Sequence, residues 1–186
     1  MSGGMSGGMN GGMSGGTGRG VNGRTDSGTI GGADRGFALP RGATGFSGPR
    51  EEPIPVTGPR SFRAALYAAA RAAGGRVGAF EHQEYPRTFH TASVVGRDGE
   101  TVVLCHAHLP WVAFARERRN RYAEEFLPPP PWAAAFTEAG LTVLGGDLLA
   151  LPLARVDTSG WGRYEWRRVR LHGVHTLGGV LFNAWD

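Results

Sequence analysis

Five residues able to ligate a metal or move a proton lie close together in the chain: His82, His90, Cys105, His106 and His108. Imidazole and thiolate are the usual ligands of zinc, and two histidines at i and i+2 of a strand share a face, so His106 and His108 form a ready pair. The third ligand depends on the turn at Gly96, Arg97, Asp98 and Gly99. With Asp98 and Gly99 as a two-residue loop, Arg97 pairs with Glu100, and His90 falls on the face of Cys105, away from His106 and His108. With Arg97, Asp98 and Gly99 as a three-residue loop and Gly99 left-handed, His90 falls opposite His106, and a triad of His90, His106 and His108 can form. Zinc held there, with Glu81 or Glu84 as general base, would make a metal-assisted hydrolase. Strand histidines are more often packed or surface residues than ligands, and neither an H-E-x-x-H nor a C-x-x-C pattern reinforces the set.

A thiol mechanism at Cys105 needs a histidine beside it in space. The adjacent His106 points to the other strand face, and His90 could serve only in the first register. A buried structural thiol is the simpler expectation. All twenty basic residues are Arg, so chemistry that requires an amine is closed to this chain: no Schiff base, no Walker A lysine, no kinase-type phosphate lysine. Two G-x-S-x-G matches, centred on Ser6 and Ser14, lie in glycine-rich sequence that cannot supply the strand and helix of a nucleophile elbow.

The elements that would position these residues begin near residue 61. Ser61 is a candidate N-cap, and Phe62, Ala65, Leu66 and Ala69 recur at helical spacing before Gly74 and Gly75 stop the helix. Residues 76–82, 87–95 and 100–106 read as strands, the last two joined as a hairpin, with 111–114 extending the sheet. Residues 115–126 read as a helix ended by Leu127 and the prolines at 128–131, a polyproline II run read as a rigid spacer rather than an SH3-like ligand. A helix over 132–138, a short strand over 141–144, a helix through Trp161, Tyr164 and Trp166 capped near Asp157, and a final helix capped by Thr176 complete the reading. Residues 148–156 stay ambiguous because Pro152 interrupts them. The expected fold is α+β: a mostly antiparallel sheet packed with several short helices.

Ahead of this domain, 1–60 reads as a disordered tail. It holds nineteen of the thirty-two glycines and none of the Trp or Tyr, and opens on a four-residue Met-Ser-Gly-Gly repeat with alternative start codons at Met5, Met9 and Met13. Arg19, Arg24, Arg35 and Arg41 beside glycines faintly suggest RNA binding through the tail, but they are sparse and the only aromatics are Phe37 and Phe46. The lone cysteine, the lack of a signal peptide and the lack of a long apolar run lead to the expectation of a soluble cytoplasmic protein outside any membrane.

Two arginine clusters remain. One comprises Arg116, Arg118, Arg119 and Arg121. The other comprises Arg163, Arg167, Arg168 and Arg170, interleaved with Trp161, Tyr164 and Trp166. Arginine with aromatics is what protein interfaces enrich, and the interspersed Glu117, Glu124, Glu125 and Glu165 favour a protein partner over nucleic acid.

The stretch 104–115 together with the ending Leu181, Phe182, Asn183, Ala184, Trp185, Asp186 resembles small uncharacterised bacterial domains that close on a Leu-Phe-Asn-x-Trp-Asp signature. The resemblance covers about the last hundred residues, implies a compact domain, and carries no functional residue. The resulting expectation is a non-catalytic protein-interaction module, without a cofactor, that binds or regulates a partner protein. The alternatives are the zinc hydrolase and RNA binding by the tail.

Overall fold

A computed structural model describes residues 36–50, 52–123 and 125–186. The Met-Ser-Gly-Gly repeat and the tail arginines Arg19, Arg24 and Arg35 lie outside the described residues.

The chain builds a six-stranded sheet in the order β1 (Arg76–Glu81), β2 (Phe89–Gly96), β3 (Gly99–His106), β4 (Trp111–Ala115) and β5 (Phe126–Leu127), all antiparallel; β6 (Thr142–Val143) pairs parallel to β4. Helices α1 (Pro59–Ala72), α2 (Ala134–Glu138), α3 (Gly146–Leu149), α4 (Arg163–Leu171) and α5 (Leu177–Leu181) cover its two faces. This is the expected α+β architecture.

Strand alternation sorts the core into two layers. Ala92, Val94, Val103, Cys105 and Phe114 pack against Phe62, Leu66 and Ala69 of α1 and Phe136 of α2. Phe89, Val102, Leu104 and Ala113 face the opposite way, toward Leu149, Val169, Leu177 and Leu181. A sheet covered on both faces explains why β2 and β3 are buried along most of their length, polar residues of β2 included.

Helix α1 starts one turn earlier than Ser61 suggests: Pro59 occupies the first helical position after Gly58, and Ser61 Oγ instead donates to the Gly58 carbonyl at 3.5 Å. It ends as a Schellman motif, with Gly75 N–H on the Ala70 carbonyl, Gly74 N–H on that of Arg71, and Gly74 left-handed at φ 61°. A Cβ on Gly75 would lie 2.0 Å from the Val95 carbonyl oxygen, so the second glycine lets α1 dock on the sheet.

The expected helix over 115–126 is not formed. Ala115 of β4 pairs with Phe126 of β5, so the chain must reverse within the intervening residues, and a straight helix cannot do that. Tyr122, 1% exposed, closes this loop instead: its hydroxyl accepts from Arg119 N–H and donates to the Glu117 carbonyl, both at 2.8 Å.

The folded unit also begins earlier than residue 61. Leu39 N–H donates to the Asp157 carbonyl and Asp157 N–H to that of Phe37, both at 2.8 Å. Leu39, Ala43 and Thr44 are buried. The glycines around these residues hide a strap that lies over the second face of the sheet. At the other end of the chain, Thr88 Oγ1 donates to the Leu181 carbonyl at 2.7 Å, and Asn183 Nδ2 donates to that of Gly179 at 2.9 Å. Asn183 Oδ1 accepts from Trp185 N–H at 3.0 Å. The closing signature residues therefore tie the end of α5 to Thr88, the residue just before β2.

Candidate interaction surface

The hairpin adopts a third register. Gly96 pairs with Gly99 around a two-residue loop of Arg97 and Asp98, with Gly99 at φ 109°. His90 therefore stands opposite Cys105, and Phe89 opposite His106. His90 and His106 project from opposite faces, and the triad of His90, His106 and His108 is not assembled. The residues present do not fit the zinc site.

His106, fully buried, uses both ring nitrogens within the protein. Its Nδ1 accepts from His108 N–H and Leu109 N–H, each at 3.1 Å. The hydrogen of the neutral ring is therefore on Nε2, which donates to the Ala43 carbonyl at 3.0 Å. Burial is the main reason its pKa falls to about 3, partly offset by the bond to Ala43 and reinforced by His108 and His90. His108 Nδ1 lies 3.1 Å from the Pro55 carbonyl and must carry the hydrogen there. Thr57 N–H adds a bond to the Ala107 carbonyl at 2.6 Å. Together these groups hold the strap at Ala43, Pro55 and Thr57 against the end of β3. The histidine pair is a fastener.

On the other face His90, 5% exposed, accepts from Gln83 N–H on Nδ1 at 2.9 Å, which places its hydrogen on Nε2 among the rings of Phe62, Phe80 and His82. Burial first, then the charges of His82, Arg87 and His108, lowers its pKa to about 4. Cys105 shares that face, but burial pushes its thiol up to about 12, and Sγ contacts the His106 carbonyl at 3.7 Å rather than an imidazole. A thiol so far from ionisation is no nucleophile. Glu81, considered as a general base, is held between Arg87 at 3.4 Å and Arg118 at 3.2 Å.

The two arginine clusters, alike in sequence, differ in the structure. In the loop between β4 and β5, Arg118 binds Glu81 and the Ala79 carbonyl, and Arg119 bridges Glu117 at 3.3 Å and Glu125 at 3.2 Å. Arg116 and Arg121 are exposed beside them. A cleft of about 260 Å³ lined by Arg116, Glu117, Arg119, Glu125, Phe126 and Leu127 carries both signs of charge. Two of the four arginines of this cluster, Arg118 and Arg119, are thus paired from within.

Helix α4 is different because its one carboxylate, Glu165, turns inward. Glu165 is 3% exposed; Oε1 accepts from Gly42 N–H at 2.8 Å and from Thr44 Oγ1 at 3.3 Å, and Oε2 accepts from Gly162 N–H at 3.1 Å at the start of the helix. It clasps the strap to α4 and leaves the outer face to Arg163, Arg167, Arg168 and Arg170, none of which has an ion-pair partner among the described residues. Three of them rest on aromatic rings: Arg163 on Tyr164 at 4.9 Å, Arg168 on Phe46 at 4.3 Å and Arg170 on Trp166 at 5.7 Å. Trp161, expected on the interaction surface, is instead buried and meets Trp166 edge-on at 5.3 Å.

Sequence reasoning missed Phe46, Tyr85 and Leu171. Phe46, supplied by the strap, touches Trp185 at 5.7 Å and Tyr85 at 6.1 Å, while Tyr85 and Leu171 are 75% and 70% exposed. Leu171 was detectable as an apolar residue four positions after Arg167, on the polar side of the helix. No helix among the described residues is long and apolar enough to cross a membrane. No family model, curated protein or solved structure matches this chain.

Proposed function

We propose that this protein is a non-catalytic interaction module that binds, and thereby neutralises or regulates, a partner protein in the cytoplasm. The observation that carries this reading is the outer face of α4: four arginines without a carboxylate partner among the described residues, three stacked on aromatic rings. Interfaces enrich Arg and aromatic residues, and an arginine already resting on a ring loses less freedom when a partner arrives. Leu171 and Tyr85 add exposed apolar surface near these charges, of the kind that marks an interaction site when it clusters.

The test is affinity capture from nuclease-treated native lysate with the full chain. A stoichiometric partner protein that survives nuclease supports the reading. Recovery of nucleic acid alone, or of nothing above background, refutes it.

A further inference from the structure

The exposed residues of α4 form an ordered stripe. Arg163, Arg167, Arg170 and Leu171 are all exposed and stand at i, i+4, i+7 and i+8, which places them on one side of the helix, with the second and third arginines about 6 and about 10 Å along the axis from the first. Helix electrostatics alone does not account for it. Arg168 and Arg170 in the last turn complement the macrodipole, but Arg163 in the first turn opposes it. The charge is kept where the helix itself disfavours it.

Resting on the interaction reading above, we infer that the stripe of Arg163, Arg167, Arg170 and Leu171, flanked by Arg168 on Phe46, is the docking face for an acidic protein surface that sets carboxylates against the arginines and an apolar side chain against Leu171. Two observations favour a protein over a nucleic acid. Single-stranded nucleic acid needs open aromatic faces for its bases, and the rings of Tyr164, Phe46 and Trp166 each already carry an arginine. A phosphate backbone also offers nothing apolar to Leu171, which is 70% exposed at the end of the stripe. Planar guanidinium groups, by contrast, match carboxylates in bidentate geometry.

Three probes against the full chain test this: a synthetic amphipathic helix with Glu at i, i+4 and i+7 and Leu on the same face, a single-stranded RNA of equal charge, and the protein itself at high concentration. The expected result is saturable peptide binding that weakens about tenfold when salt rises from low to several-fold above physiological, as screening of exposed ion pairs requires. Reversing Arg163, Arg167 and Arg170 to Glu together should weaken it at least tenfold, as should Leu171→Asp alone, whereas reversing Arg116 and Arg121 leaves it unchanged. Unaltered thermal unfolding of the variants establishes that binding, not folding, was lost. Tighter binding of the RNA than of the peptide, self-association as the only binding seen, or peptide binding indifferent to the α4 charges would each overturn the inference. A lysate partner captured equally by the wild type and the α4 triple variant would overturn the acidic docking face while leaving the interaction reading intact.

Discussion

Lowering the pH should unfasten this protein through two histidines that take no part in the interaction surface. His106 and His90 have native pKa values of about 3 and about 4, both lowered chiefly by burial from an ordinary value of 6.5. Between those limits the unfolded chain binds more protons than the native one, so stability is complete above pH 6.5 and is lost as pH falls below it. One differential proton changes the unfolding free energy by about 1.4 kcal/mol per pH unit. Integrated from pH 7.5 to pH 5.0, the loss is about 2 kcal/mol for each histidine and about 4 kcal/mol together, a large share of the 5–15 kcal/mol typical of a domain. The window lies above the ordinary carboxylate range and spans the ordinary imidazole value, which suits it to histidine.

Urea unfolding at pH 7.5 and pH 5.0 measures the difference. His106→Gln and His90→Gln should each remove about half of it, whatever they do to stability at pH 7.5. The structural reason is specific for His106: a proton on Nδ1 expels the His108 and Leu109 N–H groups that bond there. A wild-type difference below about 1 kcal/mol, or a His106→Gln variant with the full wild-type pH dependence, would refute the assignment of a buried neutral imidazole. Nitrogen chemical shifts give an independent check, since His90 and His106 should carry hydrogen on Nε2 and His108 on Nδ1.

Cys105, with its thiol near 12, should resist iodoacetamide at neutral pH in the folded protein and react on unfolding; labelling of the native state at the rate of a free thiol would contradict its burial. Glu165→Ala leaves Gly42 N–H and Thr44 Oγ1 without their acceptor and should cost about 1–3 kcal/mol, with amide hydrogen exchange at Gly42 and Thr44 accelerating before that of β2 and β3. Gly75→Ala places a Cβ 2.0 Å from the Val95 carbonyl oxygen and should cost several kcal/mol in thermal or urea unfolding, whereas Gly99→Ala, in open space at φ 109°, should cost only about 1–2 kcal/mol of backbone strain. Equal costs for the two would remove the packing argument.

What the sequence discloses and conceals follows from how far each determinant lies from its partner along the chain. Helix α1, the β2–β3 hairpin and the Thr176 cap are local, and all are legible: Thr176 Oγ1 accepts from Gly179 N–H at 3.2 Å, as the Thr followed by an apolar period suggests. The register is local too, yet Gly96, Arg97, Asp98 and Gly99 suit several loops, and a slip of one residue decides whether His90 joins His106 or Cys105. The strap was hidden because its docking groups lie far away: His106 grips the Ala43 carbonyl across 63 positions and Glu165 grips Gly42 across 123. Glycine-rich composition reads as disorder unless those partners are known. The loop after β4 is illegible for the same reason, since only the return of Phe126 to Ala115 forbids a helix there.

The orientation of the glutamates separates the two arginine clusters. In linear sequence, Glu117 and Glu125 near one cluster and Glu165 within the other look equivalent, and both suggest a solvated face of mixed charge. In space, Glu117 and Glu125 remain on the surface and pair with Arg119, and Glu81 pairs with Arg118, so half of that cluster is compensated from within. Glu165 is spent inward on the strap, and this one contact has two consequences. It brings Phe46 beneath Arg168, and it strips α4 of its only internal counter-charge. Folding of the strap and exposure of a positive helix face are thus coupled through a single carboxylate. Burying that acid fastens the strap and at the same time leaves the arginines of α4 unbalanced, which is the arrangement that the proposed acidic partner surface would use.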